Sequence, residues 1–154
     1  MDDHVTDVAA AVESAVESLV SVLDSARDAQ TPTVPPAQLR VLSIIADNRH
    51  TNMSRLAEAL DVVPSSASRL CDRLEAAGLL RRVPDPRDRR EVRLMLTPPA
   101  RRLLDQIRER RRAALAQVLD RMPPATRDDL LRSLKSFAEA AEPGTTSAEG
   151  LRTA

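Results

Sequence analysis

Apolar residues recur at intervals of three and four through most of the chain. Val8, Val12, Val16, Leu19 and Leu23 form one such stripe, which predicts an amphipathic helix over about residues 5–29, stopped before Thr31-Pro32. Pro32 to Pro36 reads as a stiff connector. Leu39, Leu42 and Ile45 then predict a second helix over about residues 36–47, and the polar run Asp47-Asn48-Arg49-His50-Thr51-Asn52 supplies a turn and a cap. Leu56, Ala57 and Leu60 lie in a short third helix that Asp61-Val62-Val63-Pro64 interrupts. Pro64 suits the first turn of a fourth helix, where its missing N–H would have no partner anyway, and Gly78 suits the position just past that helix's end at Ala77. Two short helices joined by a tight turn make the helix-turn-helix pattern.

The period then changes. Leu79 to Val83 and Glu91 to Thr97 have β character, the second alternating Val92, Leu94 and Leu96 against Arg93 and Met95. The intervening Pro84-Asp85-Pro86-Arg87-Asp88-Arg89-Arg90 makes the pair a hairpin with a basic tip. Thr97-Pro98 is an N-cap and first-turn signal, after which Leu103, Leu104, Ile107, Leu115, Val118, Leu119 and Met122 mark a long helix ended by Pro123-Pro124. Leu130, Leu131, Leu134, Phe137, Ala138 and Ala141 mark a sixth. From Pro143 onward the chain has little to bury and is expected to be disordered.

Composition narrows the possible functions. Three glycines and a single aromatic, Phe137, leave little from which to build a glycine-rich phosphate cradle, a stacking platform for single strands or a many-turned β sandwich. The fold class expected is mainly α, with the core carried on aliphatic side chains. No apolar run approaches a membrane span, no basic region with an apolar stretch opens the chain, and there is one cysteine; these features point to a cytoplasmic protein. Carboxylates are frequent but mark no acid/base pair, and there is no Ser-His-Asp order, metal-ligand spacing or nucleotide loop, so no enzyme, metal or cofactor is expected.

Formal charge is zero in sum but unevenly distributed. Residues 1–30 hold one arginine against seven acids, whereas residues 81–112 hold twelve arginines against five. A concentrated cationic segment is an electrostatic footprint for phosphate, or else the solvated face of a charged helix. The fourth helix bears on that choice. At 100° per residue, Ala67, Leu70, Cys71 and Leu74 share a core face, while Ser65, Arg69, Asp72 and Ala76 lie opposite with Ser68 and Arg73 beside them. That outer face is short and polar, which lets a helix enter a major groove about 12 Å wide and bring hydroxyls and an arginine to base edges. Together with the basic hairpin tip, it favours DNA binding.

Leu56-Ala57-Glu58-Ala59-Leu60-Asp61-Val62, Pro64-Ser65-Ser66-Ala67-Ser68-Arg69-Leu70, Asp72-Arg73-Leu74-Glu75-Ala76-Ala77-Gly78-Leu79, Asp85-Pro86-Arg87-Asp88-Arg89-Arg90 and Leu94-Met95-Leu96-Thr97 together resemble the MarR family of winged helix-turn-helix transcription regulators, with the element order matching from residue 8 to 141. The resemblance implies one domain over residues 1–142. In it a winged helix-turn-helix over 36–97, with a two-stranded wing, is carried on helices 5–29 and 98–142 that dimerise. It implies a homodimeric repressor on a pseudo-palindromic double-stranded site, released by a small-molecule effector of unspecified identity. Ser65, Ser66, Ser68 and Arg69 fall on the recognition positions, and Arg73 on a phosphate contact. Arg87, Asp88, Arg89 and Arg90 fall on the wing, with Arg90 in the minor groove and Asp88 orienting it. The chain departs from the pattern at Ala100, where glycine is usual, and in its near lack of aromatics, since many members take aromatic carboxylates or phenols in a cleft.

Other readings of individual residues stay open. Cys71 could be a redox switch inside the recognition helix, but its place on the core face favours packing. His50 is a helix-end residue rather than a ligand. Arg108 and Arg110 to Arg112 pair with Asp105, Glu109 and Asp120, or with a partner subunit, more readily than with one duplex. The alternative to a DNA-binding regulator is a winged-helix dimer that serves as a protein-interaction or ligand-sensing module without specific DNA binding.

Overall fold

A computed structural model describes residues 3–28, 34–48, 50–86 and 91–141. Among them six helices and a two-stranded antiparallel sheet follow in the order α1 (Asp3–Asp28), α2 (Pro36–Asp47), α3 (Met53–Leu60), α4 (Pro64–Ala76), β1 (Leu80–Pro84), β2 (Val92–Leu96), α5 (Pro98–Asp120) and α6 (Pro124–Ala141). The expected mainly α, winged helix-turn-helix architecture is present, and α2 has the expected bounds. The tail from residue 142 onward and the connector before Val34 lie outside the described residues.

The core belongs to the helix-turn-helix, the hairpin and the first half of α5. Val41, Leu42 and Ile45 of α2, Leu56 and Leu60 of α3, and Ala67, Cys71 and Leu74 of α4 close on one another. Leu80, Leu94, Leu96, Ala100, Leu103, Leu104 and Ile107 complete the cluster. Ala100 is fully buried at the start of α5, so a methyl group fits where the resemblance leads one to expect glycine. In the hairpin Leu80 pairs with Leu96 and Pro84 with Val92. Leu94 and Leu96 point into the core, as their alternation predicts, but Val92 is exposed because the sheet runs past the core towards its tip.

Caps set the ends of the helices. The Asn52 side chain accepts the Arg55 N–H at 3.0 Å to open α3. Thr97 Oγ1 accepts the Ala100 N–H at 3.4 Å to open α5, and Pro64 occupies the first turn of α4. Gly78, at φ +70°, ends α4 in a doubly hydrogen-bonded turn: its N–H donates to the Glu75 carbonyl and the Leu79 N–H to the Leu74 carbonyl, both at 2.9 Å. Asp61 ends α3 in the same manner, its N–H donating to Glu58 and that of Val62 to Ala57, but at φ 54° without glycine's freedom. A carboxylate at a helix C-terminus also meets the wrong end of the dipole. Asp61→Gly is therefore expected to raise stability by about 0.5 to 1 kcal/mol in urea titrations, and an unchanged midpoint would contradict the strain argument.

An isolated antiparallel bridge outside the hairpin joins the helix-turn-helix to β2. Just before α3, Asn52 bridges Arg93, and the Leu94 N–H donates to the Thr51 carbonyl at 2.9 Å. Thr51 is 97% buried in consequence, its hydroxyl turned to the Asn48 carbonyl at 3.4 Å. The stretch is too short to show a period, so the sequence pattern passes over it.

The chain divides into two units at Leu115. In the second, the Arg127 guanidinium donates to the carbonyls of Met122 at 2.9 Å and Asp120 at 3.0 Å, satisfying groups left free where α5 ends. None of the residues of α6 is buried: Leu130, Leu131, Leu134 and Phe137 are all exposed. The stripe of α1 is open too, with Val5, Val8, Val12, Val16, Leu19 and Val20 exposed.

Candidate nucleic-acid interface

α4 is held from behind and open in front. Ala67, Cys71 and Leu74 have no exposed surface, and Leu70 packs half-buried beside them. On the other side Ser65, Arg69, Asp72, Arg73 and Ala76 are exposed, with Ser66 and Ser68 half-buried at the edges. The expected placement of Ser65, Arg69 and Arg73 on an accessible face and of Cys71 beneath it is thus seen. Arg87, Asp88, Arg89 and Arg90 lie outside the described residues.

One residue of this face comes from another element. The turn at Gly78 reverses the chain so that β1 returns past the C-terminal half of α4, and Arg82 there grips two carboxylates one helical turn apart. Its guanidinium pairs with Asp72 Oδ1 at 2.7 Å and with Glu75 Oε2, while its backbone N–H donates to Glu75 Oε1 at 3.4 Å. The hydrogen bond to Asp72, ahead of that to Glu75, raises the proton affinity of the guanidinium above its ordinary value. Sequence reasoning missed Arg82. The available signal was an Asp and a Glu spaced i, i+3 on a helix that ends in a reversing turn, followed by arginine near the start of the returning strand.

The base of the hairpin carries a second polar group. Arg93 Nε lies 3.6 Å from Asp85 Oδ2, and Asn52 Nδ2 donates to Glu91 Oε2 at 3.4 Å. Arg55 of α3 donates to the His50 carbonyl at 3.2 Å. These contacts tie the start of α3 to the root of the wing. On α5, Arg108 pairs with Asp105 at 3.5 Å as expected and also with Asp47 of α2 at 3.7 Å.

Burial pushes the Cys71 thiol up from 9.0 to about 11; Arg82 opposes this and Asp72 and Glu75 add to it. The native thiol is thus neutral at pH 8 and shielded. A disulfide reagent at that pH is expected to label Cys71 only as fast as the domain opens, with rapid labelling on adding denaturant. Immediate labelling of the folded protein would contradict this burial. As the folded thiol holds its proton more tightly than the unfolded one, stability is expected to fall as pH rises from about 9 towards 11.

Among the described residues no helix is long and apolar enough to cross a membrane. Comparison with known proteins gives consistent results. A family model described as "MarR family" matches residues 33–91. The HTH-type transcriptional repressor MdtR of Bacillus subtilis is 30% identical over 109 residues, covering 71% of this chain and 68% of MdtR. A putative transcriptional regulatory protein for the hcr operon of Thauera aromatica is 36% identical over 108 residues, 68% of this chain and 63% of that protein. The match thus spans about two thirds of each relative's own length. Among solved structures, RV1404 from Mycobacterium tuberculosis superposes with a TM-score of 0.79 at 33% identity, covering 94% of this chain and 99% of that one. A MarR family protein from Bacillus stearothermophilus shares the fold, with a TM-score of 0.77 at 20% identity over 91% of this chain and 97% of its own.

Proposed function

The chain belongs to the MarR family and is a DNA-binding transcription regulator rather than an enzyme; on that premise we propose that it is a homodimeric repressor of a pseudo-palindromic operator, released by a small-molecule effector. The observation that carries this reading is the two-sided α4. Its inner side chains are locked in the core, while the outer face offers Ser65, Arg69 and Arg73 without bulk in the way. In this reading Ser65, Ser66, Ser68 and Arg69 meet base edges in the major groove and Arg73 meets phosphate. The hairpin that leaves α4 carries Arg87, Asp88, Arg89 and Arg90 to the neighbouring minor groove, where Arg90 exploits the negative potential of a narrow stretch. Cys71 enters as a packing residue. In this reading residues 1–142 form one domain, with the winged helix-turn-helix over about 36–97 and the dimerising helices over about 5–29 and 98–142.

The open apolar stripes of α1 and α6 support the homodimer, since exposed valines, leucines and a phenylalanine at helical spacing are surface that a second copy would cover. Two-fold symmetry then sets half-sites about one helical turn, roughly 10 base pairs, apart. Sedimentation of the protein alone and with a single operator duplex tests this. Two chains in the free species and two per duplex are expected; a monomer that binds one half-site with full affinity would contradict it.

A further inference from the structure

The recognition helix of this DNA-binding protein has no net charge of its own. α4 contains two arginines, Arg69 and Arg73, and two acids, Asp72 and Glu75, all on its exposed side. The carboxylates are accessible, with 59% of the Asp72 side chain and 41% of the Glu75 side chain open to solvent. Brought to a duplex, they would stand within a Debye length, about 8 Å at physiological salt, of phosphates and would offset what Arg69 and Arg73 gain. Arg82, delivered from β1, makes the face positive, and it sits on those two acids.

We propose that Arg82 serves DNA binding by masking Asp72 and Glu75 from the phosphate backbone, rather than by bracing β1 against α4. This rests on the reading that the outer face of α4 meets DNA. The brace is already supplied by other contacts. The turn at Gly78 is closed by the Leu79 N–H to the Leu74 carbonyl at 2.9 Å, Thr97 Oγ1 donates to the Gly78 carbonyl at 2.7 Å, and the Thr97 N–H donates to the Leu79 carbonyl at 3.2 Å. Leu74 and Leu80 are buried on either side of that turn. The Arg82 side chain is half-buried, but both carboxylates it holds are open to solvent, and ion pairs of that kind add little to stability. Removal of the guanidinium is therefore expected to leave the fold in place and to expose two anions where phosphates must approach.

The roles of brace and mask separate when the acids are neutralised. Four full-length proteins would be compared: wild type, Arg82→Ala, Asp72→Asn/Glu75→Gln, and the triple variant. Each would be titrated against a selected operator and against random duplex at two salt concentrations, with thermal melts alongside. Masking predicts that Arg82→Ala weakens binding to both duplexes by about tenfold or more, that Asp72→Asn/Glu75→Gln binds at least as tightly as wild type, and that the triple variant returns to within about threefold of wild type. Bracing predicts the reverse for the last two, because losing the acids breaks the tie as surely as losing the arginine; weak binding by Asp72→Asn/Glu75→Gln would overturn the proposal. That variant keeps Arg82, so it decides the matter even if Arg82→Ala fails to fold. Should wild type show no preference for the operator, the site-specific reading falls, while the random-duplex affinities still decide between mask and brace.

Discussion

Leu74→Ala is expected to cost about 2 to 5 kcal/mol of folding free energy, the range for truncating a fully buried leucine where the surroundings cannot collapse into the space. Leu74 has no exposed surface, and it lies on the inner side of α4, in a cluster that includes Leu42, Leu56 and Leu80. Its carbonyl also receives the Leu79 N–H that closes the turn into β1. A loss of that size is a large share of the 5 to 15 kcal/mol typical of a folded domain. DNA binding is expected to fall with it, since the same residue seats α4, whose outer face is proposed to read DNA. Urea titration checks the value: the midpoint should drop with the slope unchanged. A loss below about 1 kcal/mol would mean that α4 is not anchored through this side chain.

Arg69→Ala acts on the opposite side of the same helix and should leave folding intact. Arg69 is exposed and stands one turn along from Ser65, on the part of α4 free of acidic side chains. If it reaches a base edge, its loss should cost about 1 to 3 kcal/mol of operator affinity and relax preference at one position in each half-site. Arg73→Ala is the control from the phosphate class: it should weaken binding to all sequences alike and lower the salt dependence by about one counterion. Competition titrations with a panel of single-base operator variants separate the two. Uniform weakening by Arg69→Ala would move that residue from base reading to backbone contact.

Much of the architecture was legible because its signals are local. Pro35-Pro36 followed by Leu39, Leu42 and Ile45 defines α2, Pro64 and Gly78 bracket α4, and the alternation of Leu94 and Leu96 gives the inward face of β2. The polar side of α4 followed from the same 100° geometry that placed Cys71 and Leu74 inside. The features that escaped depend on residues distant in sequence or on backbone angles. The Thr51–Asn52 rung against β2 is too short to have a period, and Asp61 occupies a left-handed position where glycine would have been the recognisable sign. The exposure of Val92 comes from where the core ends rather than from the strand pattern. Arg82 was harder to read for a related reason: the Asp72/Glu75 pair before a reversing turn signals an arginine on the returning strand, but strand pairing decides that Arg82 and not the adjacent Arg81 reaches it.

The electrostatic layout now has a division of labour in the described residues. Arg93 and Arg108 are engaged with Asp85 and with Asp47 and Asp105, and Arg82 with the acids of α4. The cationic density of residues 81–112 is therefore partly internal structure. On this account the surface that reads DNA is smaller than the charge count suggests, consisting of the outer face of α4 and the hairpin tip.

The most direct test of that account is selection of fragmented genomic DNA by the purified protein at near-physiological salt, sequenced beside an Arg69→Ala/Arg90→Ala control. An enriched inverted repeat with half-site centres about 10 base pairs apart, lost in the control, is the result predicted. Fragments recovered only in proportion to their length, equally by both proteins, would contradict it.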